Sequence, residues 1–344
     1  MKTRKWFRSA ICVTLAASMV FANALAVVDP DADYGNSKLI SKKEYAIAPG
    51  ITETDIILNN EEGTNQNKGY VMEIDLSNPN VSIKAGYKDY DGSSWGMQNC
   101  PDQAAAAEKQ LKKTDSNANV VGIVNANFYN MATGAPYGPL VMHGTVYHGT
   151  DAGYNYFAIL DDGTAEIRSA STPIGSNVVE AMGGSTILVK NGQNVVAGQD
   201  AYTVERNPRT AVGIKADGSV VLFVNDGRQS PTSTGMSMSE VADTMIGLGC
   251  VSVLNLDGGG STTFASEREG SGELTVKNSP SDGVARLVSG TLMVVSTAKP
   301  SGEFDHAAVS PNGELYTPGS QVQFEATGVD SAGGSAELPA GVTW

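Results

Sequence analysis

Hydrophobic and polar residues alternate with a period of two along much of the chain, which is the pattern of β-strands with one buried face. Residues 70–76 (YVMEIDL) and 81–86 (VSIKAG) alternate in this way on either side of the turn-forming stretch 77–80 (SNPN), and together they predict a hairpin. The same pattern, with glycine-containing turns at 161–163, 191–192 and 217–218, predicts short strands at 120–125, 140–147, 154–160, 165–168, 187–189, 195–196, 210–215, 220–225 and 291–296.

Two segments favour a helix instead. Residues 102–113 are rich in alanine, follow Pro101 and contain no glycine or proline. Residues 237–248 begin with Ser237 and have Glu240 three positions later, which is the spacing of a capping box, and they carry an apolar stripe at helical spacing. Two clear helices among so many strands predict a mixed, strand-rich α/β fold, with mixed β-sheets and a few flanking helices.

Residues 253–263 (VLNLDGGGSTT) join a largely buried strand to a loop of chemically useful groups. The strand runs into one carboxylate, Asp257, and the glycines after it let the backbone turn tightly and bring N–H groups close to a ligand. Successive N–H groups in such a turn form a concavity for an anion, so the carboxylate beside it predicts hydrolysis of a phosphate- or sugar-containing substrate. A glycine-rich loop with a capping Asp is the plainer alternative, and the Gly-Lys-Ser/Thr of a nucleotide-binding phosphate loop is missing. The candidate binding groups of this loop are Gly258, Gly259, Gly260, Ser261 and Thr262.

The first 26 residues predict a secretory signal peptide. They start with four basic residues, continue with an uncharged and mostly apolar run, and end in small residues at 24–26. No later stretch is apolar enough to span a bilayer. We therefore expect a secreted or extracellular protein, with a polar, disordered lead at 27–37 and a large domain at 38–298.

The acidic balance of the chain excludes some partners. Removing the signal takes four of the 23 basic residues and none of the 37 acidic ones, so the formal net charge falls from −14 to −18. Such a surface disfavours nucleic acid and anionic membranes. It is compatible with an extracellular enzyme.

Cysteine and histidine are too scarce for a zinc cluster or a histidine-rich metal site. Outside the signal only Cys100 and Cys250 remain; they could pair in an oxidising compartment, and a buried free thiol at Cys250 is an equal alternative. His143 and His148 lie on or beside a predicted strand, where packed or surface histidines are commoner than general bases. No Gly-x-Ser-x-Gly sequence leads directly from a strand into a predicted helix, as the nucleophile elbow of α/β-hydrolases does.

The end of the chain has a different composition. Residues 299–308 contain KPSG and predict a linker, and residues 309–344 are rich in proline and glycine, with an alternating stretch at 321–327. This last segment resembles the opening strands of a bacterial immunoglobulin-like module, which needs about 100 residues. We expect a longer surface protein, with cell-wall attachment through modules beyond Trp344.

Several polar residues outside the Asp257 loop are candidates for substrate binding. Asn127 and Tyr129 follow a predicted strand and suit a sugar, through amide hydrogen bonds and ring stacking; an ordinary Asn-rich turn would look the same. Arg209 and Arg228 stand at the two ends of the predicted 210–225 hairpin, and a guanidinium holds phosphate through its planar fork. A surface cap is the alternative for Arg209.

Further carboxylates are weaker candidates for catalysis. Asp226 begins an Asp-Gly pair that is more typical of a turn, and the predicted capping box already explains Glu240. Asp282 and Arg286 form an acid–base pair four residues apart, which a solvated loop would also contain.

The order of these segments is more specific than any one of them. The succession NF at 127–128, RTAVG at 209–213, DGR at 226–228, GxxxxExA at 235–242, NLDGGGST at 255–262 and NxPSD at 278–282 with Arg286 resembles the phosphodiester glycosidase family. The resemblance covers roughly residues 40–297 and is strongest over 209–286. It implies hydrolysis of a sugar-1-phosphodiester at an extracellular site, and a fold whose strand ends gather these segments into one pocket.

Such a reaction implies roles for the candidate residues. The arginines and the amides of the glycine turn would hold the leaving phosphate, Asn127 and Tyr129 would contact the sugar, and Asp257 would act as base or nucleophile, with Asp226 and Glu240 as substitutes. No cofactor is required, although Asp226, Asp257 and Asp282 could supply oxygen ligands for Ca²⁺. Two alternatives stay open: a module that binds cell-wall glycan without cleaving it, and a phosphodiesterase that breaks the P–O bond.

Overall fold

The computed structural model describes residues 28–29, 31–198, 200–311 and 316–341. The predicted signal peptide lies outside these residues. Three helices, α1 (Cys100–Leu111), α2 (Ala201–Val204) and α3 (Met238–Gly247), and two 3₁₀ turns, Lys88–Tyr90 and Gly259–Ser261, accompany the strands. The strands are β1 (Ser37–Ala48), β2 (Ile51–Asn60), β3 (Asn67–Ile74), β4 (Val81–Tyr87), β5 (Asn119–Asn125), β6 (Leu140–Met142), β7 (Thr145–His148), β8 (Tyr156–Leu160), β9 (Ala165–Arg168), β10 (Val178–Gly183), β11 (Ile187–Lys190), β12 (Gln193–Asn194), β13 (Arg209–Lys215), β14 (Val220–Asn225), β15 (Cys250–Asn255), β16 (Phe264–Ser266), β17 (Thr275–Val276), β18 (Gly290–Ser296), β19 (His306–Ser310), β20 (Glu325–Val329) and β21 (Ser335–Ala336).

The strands form four sheets. The central sheet has the order β1-β2-β3-β14-β13-β15-β11-β12, the second sheet β17-β16-β5-β18-β4, the third sheet β7-β6-β10-β8-β9, and the tail sheet β19-β20-β21. The strand-rich fold with few helices is confirmed. Each pairing between the described strands is antiparallel, so these sheets do not mix parallel and antiparallel strands.

The central sheet is covered on both faces, and β14 shows why its sequence is apolar throughout. Val220, Leu222 and Val224 belong to the core shared with the second and third sheets, whereas Val221 and Phe223 belong to the core under α3. Because successive side chains of a strand point to opposite faces, a strand between two cores has no polar positions.

The local predictions for helices and tight hairpins are confirmed. The side chain of Ser237 accepts a hydrogen bond from the N–H of Glu240, and Glu240 accepts one from the N–H of Ser237, which completes the capping box of α3. The strand pairs β8–β9, β11–β12 and β13–β14 are antiparallel neighbours around the predicted turns. α1 begins after Asn99, whose side chain accepts from the N–H of Asp102.

The hairpin predicted across residues 70–86 is wrong. β3 pairs with β2 and β14 in the central sheet, whereas β4 pairs with β18 in the second sheet. The turn between β3 and β4 therefore passes the chain from one layer to the other. Distant partners, which local alternation does not reveal, decide the pairing.

The two ends of the described chain also differ from expectation. The lead predicted to be disordered packs under α3, where Val28 and Tyr34 are buried. At the other end β19 begins inside the predicted linker, and the tail sheet contacts the main domain through His306, whose Nε2 lies 3.0 Å from the Glu269 carboxylate. Three strands do not make a sandwich, so the immunoglobulin-like module stays a prediction.

The two remaining cysteines are free and buried. Cys100 lies in the core between the sheets and Cys250 in the core under α3. The disulfide that the sequence left open is therefore not formed. No helix in the described part of the chain is long and apolar enough to cross a membrane.

Candidate active site

Antiparallel register brings polar residues to one edge of the central sheet. Arg209, at the start of β13, pairs with Asn225 at the end of β14, and Ala211 pairs with Asn255 at the end of β15. The segments that follow β14 and β15 thus leave the sheet at the same edge, on either side of the start of β13. The start of β13 and the ends of β14 and β15 therefore meet at this edge.

Asn125, at the end of β5, fastens the second sheet to the same edge. Its Nδ2 donates to the carbonyl of Asp257 at 2.6 Å, and its Oδ1 accepts from Thr210 Oγ1 at 2.9 Å and from the N–H of Thr263 at 3.0 Å. Asn125 is fully buried, so these bonds are shielded from water. The position of Asp257 is therefore set from both sheets.

Asp257 is the carboxylate at the centre of the site. Its N–H donates to Ala126 O at 2.7 Å, and its Oδ1 accepts from the N–H of Gly258 at 2.9 Å. Burial raises the pKa of Asp257 to about 6, against the opposing effects of the Ser261 hydroxyl, the Gly258 N–H and the charge of Arg286. The residue keeps part of its surface open to solvent. A carboxylate that is ionised at neutral pH and still has appreciable proton affinity is suited to act as a base.

Close contacts require glycine in the turn after Asp257. A Cβ on Gly258 would lie 2.8 Å from Pro208 O, and a Cβ on Gly260 would lie 2.0 Å from Nη2 of Arg286. Gly259 has a φ of +63°, in the left-handed region. At 258 the neighbour is backbone, so the close approach needs glycine, whereas a side chain at 260 would displace the flexible end of Arg286.

The predicted anion concavity is largely occupied by the protein itself. The N–H of Gly258 bonds to Asp257, and the N–H of Gly259 donates to Pro208 O at 2.9 Å. These two N–H groups stabilise the turn, so they are engaged before any phosphate arrives. Positively charged side chains beside the turn are therefore better placed to bind a phosphate.

Two guanidinium groups flank the glycine turn. Arg228 is exposed, donates from Nε and Nη2 to Asn207 Oδ1 at 3.0 and 2.8 Å, and lies over Gly259. Arg286 pairs with Asp282 through Nε and Nη2 at 2.8 and 2.7 Å. Both stand within reach of a phosphate above the turn. Asp282 is thus a positioning partner for Arg286.

The surroundings of Asp226 do not favour the catalytic role that the sequence suggested for it. Its carboxylate accepts from Tyr70 Oη at 3.2 Å, Asn278 Nδ2 at 3.1 Å and the N–H of Ser279 at 2.9 and 3.1 Å. Burial raises its pKa, and these bonds oppose the rise. A buried carboxylate with this many donors holds the 278–279 loop in place, which leaves it poorly placed to attack a substrate.

Glu240 is likewise a structural residue in this geometry. One carboxylate oxygen completes the capping box with Ser237, and the other accepts from Nη1 of Arg206. The capping box, which the sequence predicted, accounts for the contact with Ser237. The contact with Arg206 adds an ion pair to it.

The guanidinium of Arg209 mainly holds neighbouring loops together and is not free to bind a phosphate. Its Nε donates to Met236 O at 3.1 Å, and its Nη2 donates to the carbonyls of Tyr202 and Glu205 at 2.7 and 2.9 Å. Burial lowers its pKa, and the guanidinium lies 5.3 Å from the ring centre of Tyr202. Nε and Nη2, the pair of donors that would bind a phosphate, are therefore already hydrogen-bonded to backbone carbonyls.

Buried polar atoms without a partner concentrate at this edge. Of ten such side-chain atoms in the described structure, six belong to Asn127, Asn225, Asn255, Thr262 and Ser281, and both polar atoms of Asn127 are among them. Leaving such a group unpaired costs about 1–3 kcal/mol. Such groups are rare in ordinary protein cores, so a cluster of them indicates a functional site.

Aromatic rings border the other side of the site. Tyr129 is buried, donates to Leu287 O at 3.0 Å, and lies near Ser261 and Asp257. Phe128 and Tyr202 have ring centres 6.3 Å apart. Tyr202 was missed at the sequence level because it comes from α2, a four-residue helix with no motif of its own.

The three aspartates proposed for Ca²⁺ do not converge. Asp226 and Asp282 have the nitrogen and hydroxyl partners given above, and the residues that the structure describes hold no group of three or more His, Cys, Asp or Glu suited to a metal ion. The geometry adds no support to the expectation of a calcium ion.

Comparisons with known proteins identify the family of the chain. The sequence model of the family described as phosphodiester glycosidase matches residues 118–295, just over half of the chain. The N-acetylglucosamine-1-phosphodiester alpha-N-acetylglucosaminidase of Mus musculus is 28% identical over 163 residues, which cover 41% of this chain and 30% of that protein. The SPbeta prophage-derived uncharacterized protein YomE of Bacillus subtilis (strain 168) is 28% identical over 182 residues, 50% of this chain and 27% of that protein. The matched part spans less than a third of these relatives.

Solved structures share the fold. The zebrafish catalytic domain of the same glucosaminidase, auto-inhibited by its pro-peptide, has a TM-score of 0.57 at 20% identity, over 74% of this chain and 88% of that chain. A hypothetical protein from Synechocystis has a TM-score of 0.57 at 17% identity, over 72% of this chain and 62% of that chain. At these identities the likeness concerns the fold alone. The family match over residues 118–295, just over half of the chain, shows that the chain belongs to the phosphodiester glycosidase family, whose members are hydrolases of glycosyl bonds.

Proposed function

We propose that this protein hydrolyses the glycosidic bond of a sugar-1-phosphodiester outside the cell, with Asp257 as the base that activates water. The observation that carries the proposal is the position of Asp257. It is a single, partly accessible carboxylate with a pKa raised by burial to about 6, next to a glycine turn flanked by two guanidinium groups.

The leaving group explains why one poised carboxylate is enough. Ordinary glycosidases use one carboxylic acid to protonate the leaving oxygen and a second carboxylate as base or nucleophile. A phosphate monoester leaves as an anion and needs little protonation. Arg228 and Arg286 would stabilise the charge that develops on it. The structural roles of Asp226 and Glu240 fit a mechanism without a second catalytic carboxylate.

The sugar would occupy the opposite side of Asp257. There the unpaired amide of Asn127 and the hydroxyl of Thr262 can bond to sugar oxygens, while the half-buried Phe128 and the exposed Tyr202 offer ring faces. Tyr129, which the sequence placed against the sugar, is buried. Ser261, which hydrogen-bonds Asp257 and lies 3.5 Å from Nη1 of Arg286, links the base to the phosphate side. Secretion and attachment to the cell wall rest on the predicted signal and tail.

Hydrolysis of a defined substrate tests the proposal. We would measure release of free sugar from UDP-N-acetylglucosamine and from a simple alkyl N-acetylglucosamine-1-phosphodiester, with wild type, Asp257→Asn and Asp226→Asn. A general base contributes about 10²- to 10⁴-fold, so Asp257→Asn should lose at least about a hundredfold in kcat. Asp226→Asn should keep more than a tenth of the wild-type rate.

The outcomes separate the alternatives. Equal rates for wild type and Asp257→Asn would remove Asp257 from the mechanism. Binding of these sugar phosphates by wild type with no turnover would instead favour a glycan-binding module.

A further inference from the structure

Four aromatic side chains form a continuous row that begins at the sugar side of the site. Tyr137 stacks on Tyr154 with ring centres 5.3 Å apart and planes inclined by 24°, and Tyr154 lies 6.2 Å from Phe128. Phe128 lies in turn 6.3 Å from Tyr202. We call these four residues the aromatic row. Phe128 and Tyr137 come from the loop between β5 and β6, Tyr154 from the loop between β7 and β8, and Tyr202 from α2.

The rings of the row are accessible to a ligand. Tyr137 and Tyr202, at the two ends, are 36% and 45% exposed, and Phe128 and Tyr154 are half-buried between them. Isolated exposed aromatics are common on protein surfaces, but contiguous ones mark binding sites. The row is long enough to contact more than one sugar ring.

The inner end of the row is fixed to the catalytic edge. The Tyr202 hydroxyl lies 3.0 Å from Asn255 Nδ2 and 3.2 Å from Ser185 Oγ, and the Arg209 guanidinium packs on its ring. Burial raises the pKa of the Tyr202 hydroxyl, and the negative charge of the nearby Asp257 adds to that rise. The row therefore starts beside the proposed base.

The outer end is held just as specifically. The N–H of Tyr137 donates to Phe128 O at 2.8 Å, which holds the two ends of the loop between β5 and β6 together. Gly138 has a φ of +76°, and a Cβ there would lie 2.9 Å from Cβ of Tyr154. A larger residue at 138 would push Tyr154 out of its stack, so the backbone is shaped to keep the rings together.

Charge separates the row from the phosphate side. Arg228 and Arg286 flank the glycine turn, whereas the charged residue beside the outer rings is Asp151, whose carboxylate accepts from the N–H of Gly138 at 2.9 Å. A carboxylate repels phosphate, so the row suits a neutral partner. Ring faces pack against the C–H groups of sugars, and tyrosine hydroxyls bond to their oxygens.

We propose that the aromatic row is an extended glycan subsite, which holds the neutral sugar units joined to the sugar whose bond is cleaved. The substrate is then an oligosaccharide or polysaccharide linked through phosphate, rather than a single sugar. Which side of the bond the row serves rests on the proposed function. The binding of neutral glycan to the row does not.

Calorimetry with neutral oligosaccharides tests the subsite. The probes are chains of one to four units derived from chitin, cellulose and mannan, with UMP as a nucleotide control. Wild type should bind at least one series with an affinity that rises about three- to tenfold from one to three units. That gain corresponds to about 0.7–1.4 kcal/mol, the size of a ring-stacking contact.

Variants separate the row from a general effect of exposed aromatics. Tyr137→Ala should remove most of the gain with chain length, Tyr137→Phe should keep it because the ring remains, and Tyr316→Ala, an exposed tyrosine of the tail, should bind like wild type. Circular dichroism confirms that each variant is folded.

Three results would overturn the subsite: affinity independent of length in every series, a full gain in Tyr137→Ala, or UMP binding that depends on Tyr137. The last result would assign the row to a nucleobase. Because the probes carry no phosphodiester, a wild type that binds them and cleaves no sugar phosphate would reject the proposed function alone. Cleavage without length-dependent binding would reject the subsite alone.

Discussion

Replacing Asp257 by asparagine should make the protein more stable and inactive at the same time. Burial raises the pKa of Asp257 from 3.8 to about 6, and each pKa unit corresponds to about 1.4 kcal/mol. The full shift would amount to about 3 kcal/mol of destabilisation in the ionised protein. Because the site is partly open to solvent, we expect screening to leave about 1–2 kcal/mol.

The sign of the effect defines its pH window. Between about pH 4 and pH 6 the unfolded chain ionises this carboxyl group while the folded chain keeps it protonated, so the wild type loses stability as pH rises. Asparagine does not titrate. The variant should match the wild type below about pH 4, gain on it up to about pH 6, and keep a constant advantage above that.

Urea unfolding of both proteins at pH 4, 5, 6 and 7.5 measures this difference directly. The matched control is Asp226→Ala, which should lower the free energy of unfolding by about 1–3 kcal/mol because it leaves the donors of Asn278 and Ser279 unpaired. A variant of Asp257 that is less stable than wild type at pH 7.5, or a difference that does not change with pH, would refute the reasoning. In the active wild type, kcat/KM should rise with pH through about 6, because the base must be ionised.

The remaining predictions concern the groups around Asp257. Gly260→Ala should lower kcat/KM more than about tenfold in a folded protein, because its Cβ would displace Arg286, whereas Gly149→Ala, with open space around it, should behave like wild type in the same kinetic assay. Glu240→Ala should reduce the free energy of unfolding by about 1–2 kcal/mol through the lost cap and ion pair, with kcat/KM within about twofold; a loss of activity at unchanged stability would restore Glu240 as a catalytic residue. Exhaustive dialysis against a chelator should leave the rate unchanged, and recovery of a lost rate by added Ca²⁺ would contradict a metal-free mechanism.

Local chemistry made much of the fold predictable from the sequence. The capping box of α3 and the glycine turns of β8–β9, β11–β12 and β13–β14 involve residues only a few positions apart, so their signals are complete within a short window. Pairing between distant segments is different. β3 joins β14, about 150 positions away, and no feature of residues 70–86 excludes the hairpin that this pairing replaces.

In the candidate site, too, contiguous motifs were predictable and contacts between distant residues were not. Asp257 and its glycines stand out because the motif is contiguous, and the close contacts of Gly258 and Gly260 explain why it contains glycine. The role of a carboxylate depends on its partners, however, and the sequence does not show that Asp226 is surrounded by donors from residues 70, 278 and 279. The hydrogen bond from Asn125 to Asp257 and the position of the Tyr202 ring depend on tertiary contacts, which the sequence does not reveal.

Hydrolysis in ¹⁸O-labelled water distinguishes cleavage of the glycosidic bond from cleavage of the P–O bond. With an N-acetylglucosamine-1-phosphodiester as substrate, we expect the label in the released sugar, because water activated by Asp257 attacks the anomeric carbon. Label in the released phosphate would show attack at phosphorus. The protein would then be a phosphodiesterase, and the roles given to Asp257, Arg228 and Arg286 would have to be reassigned.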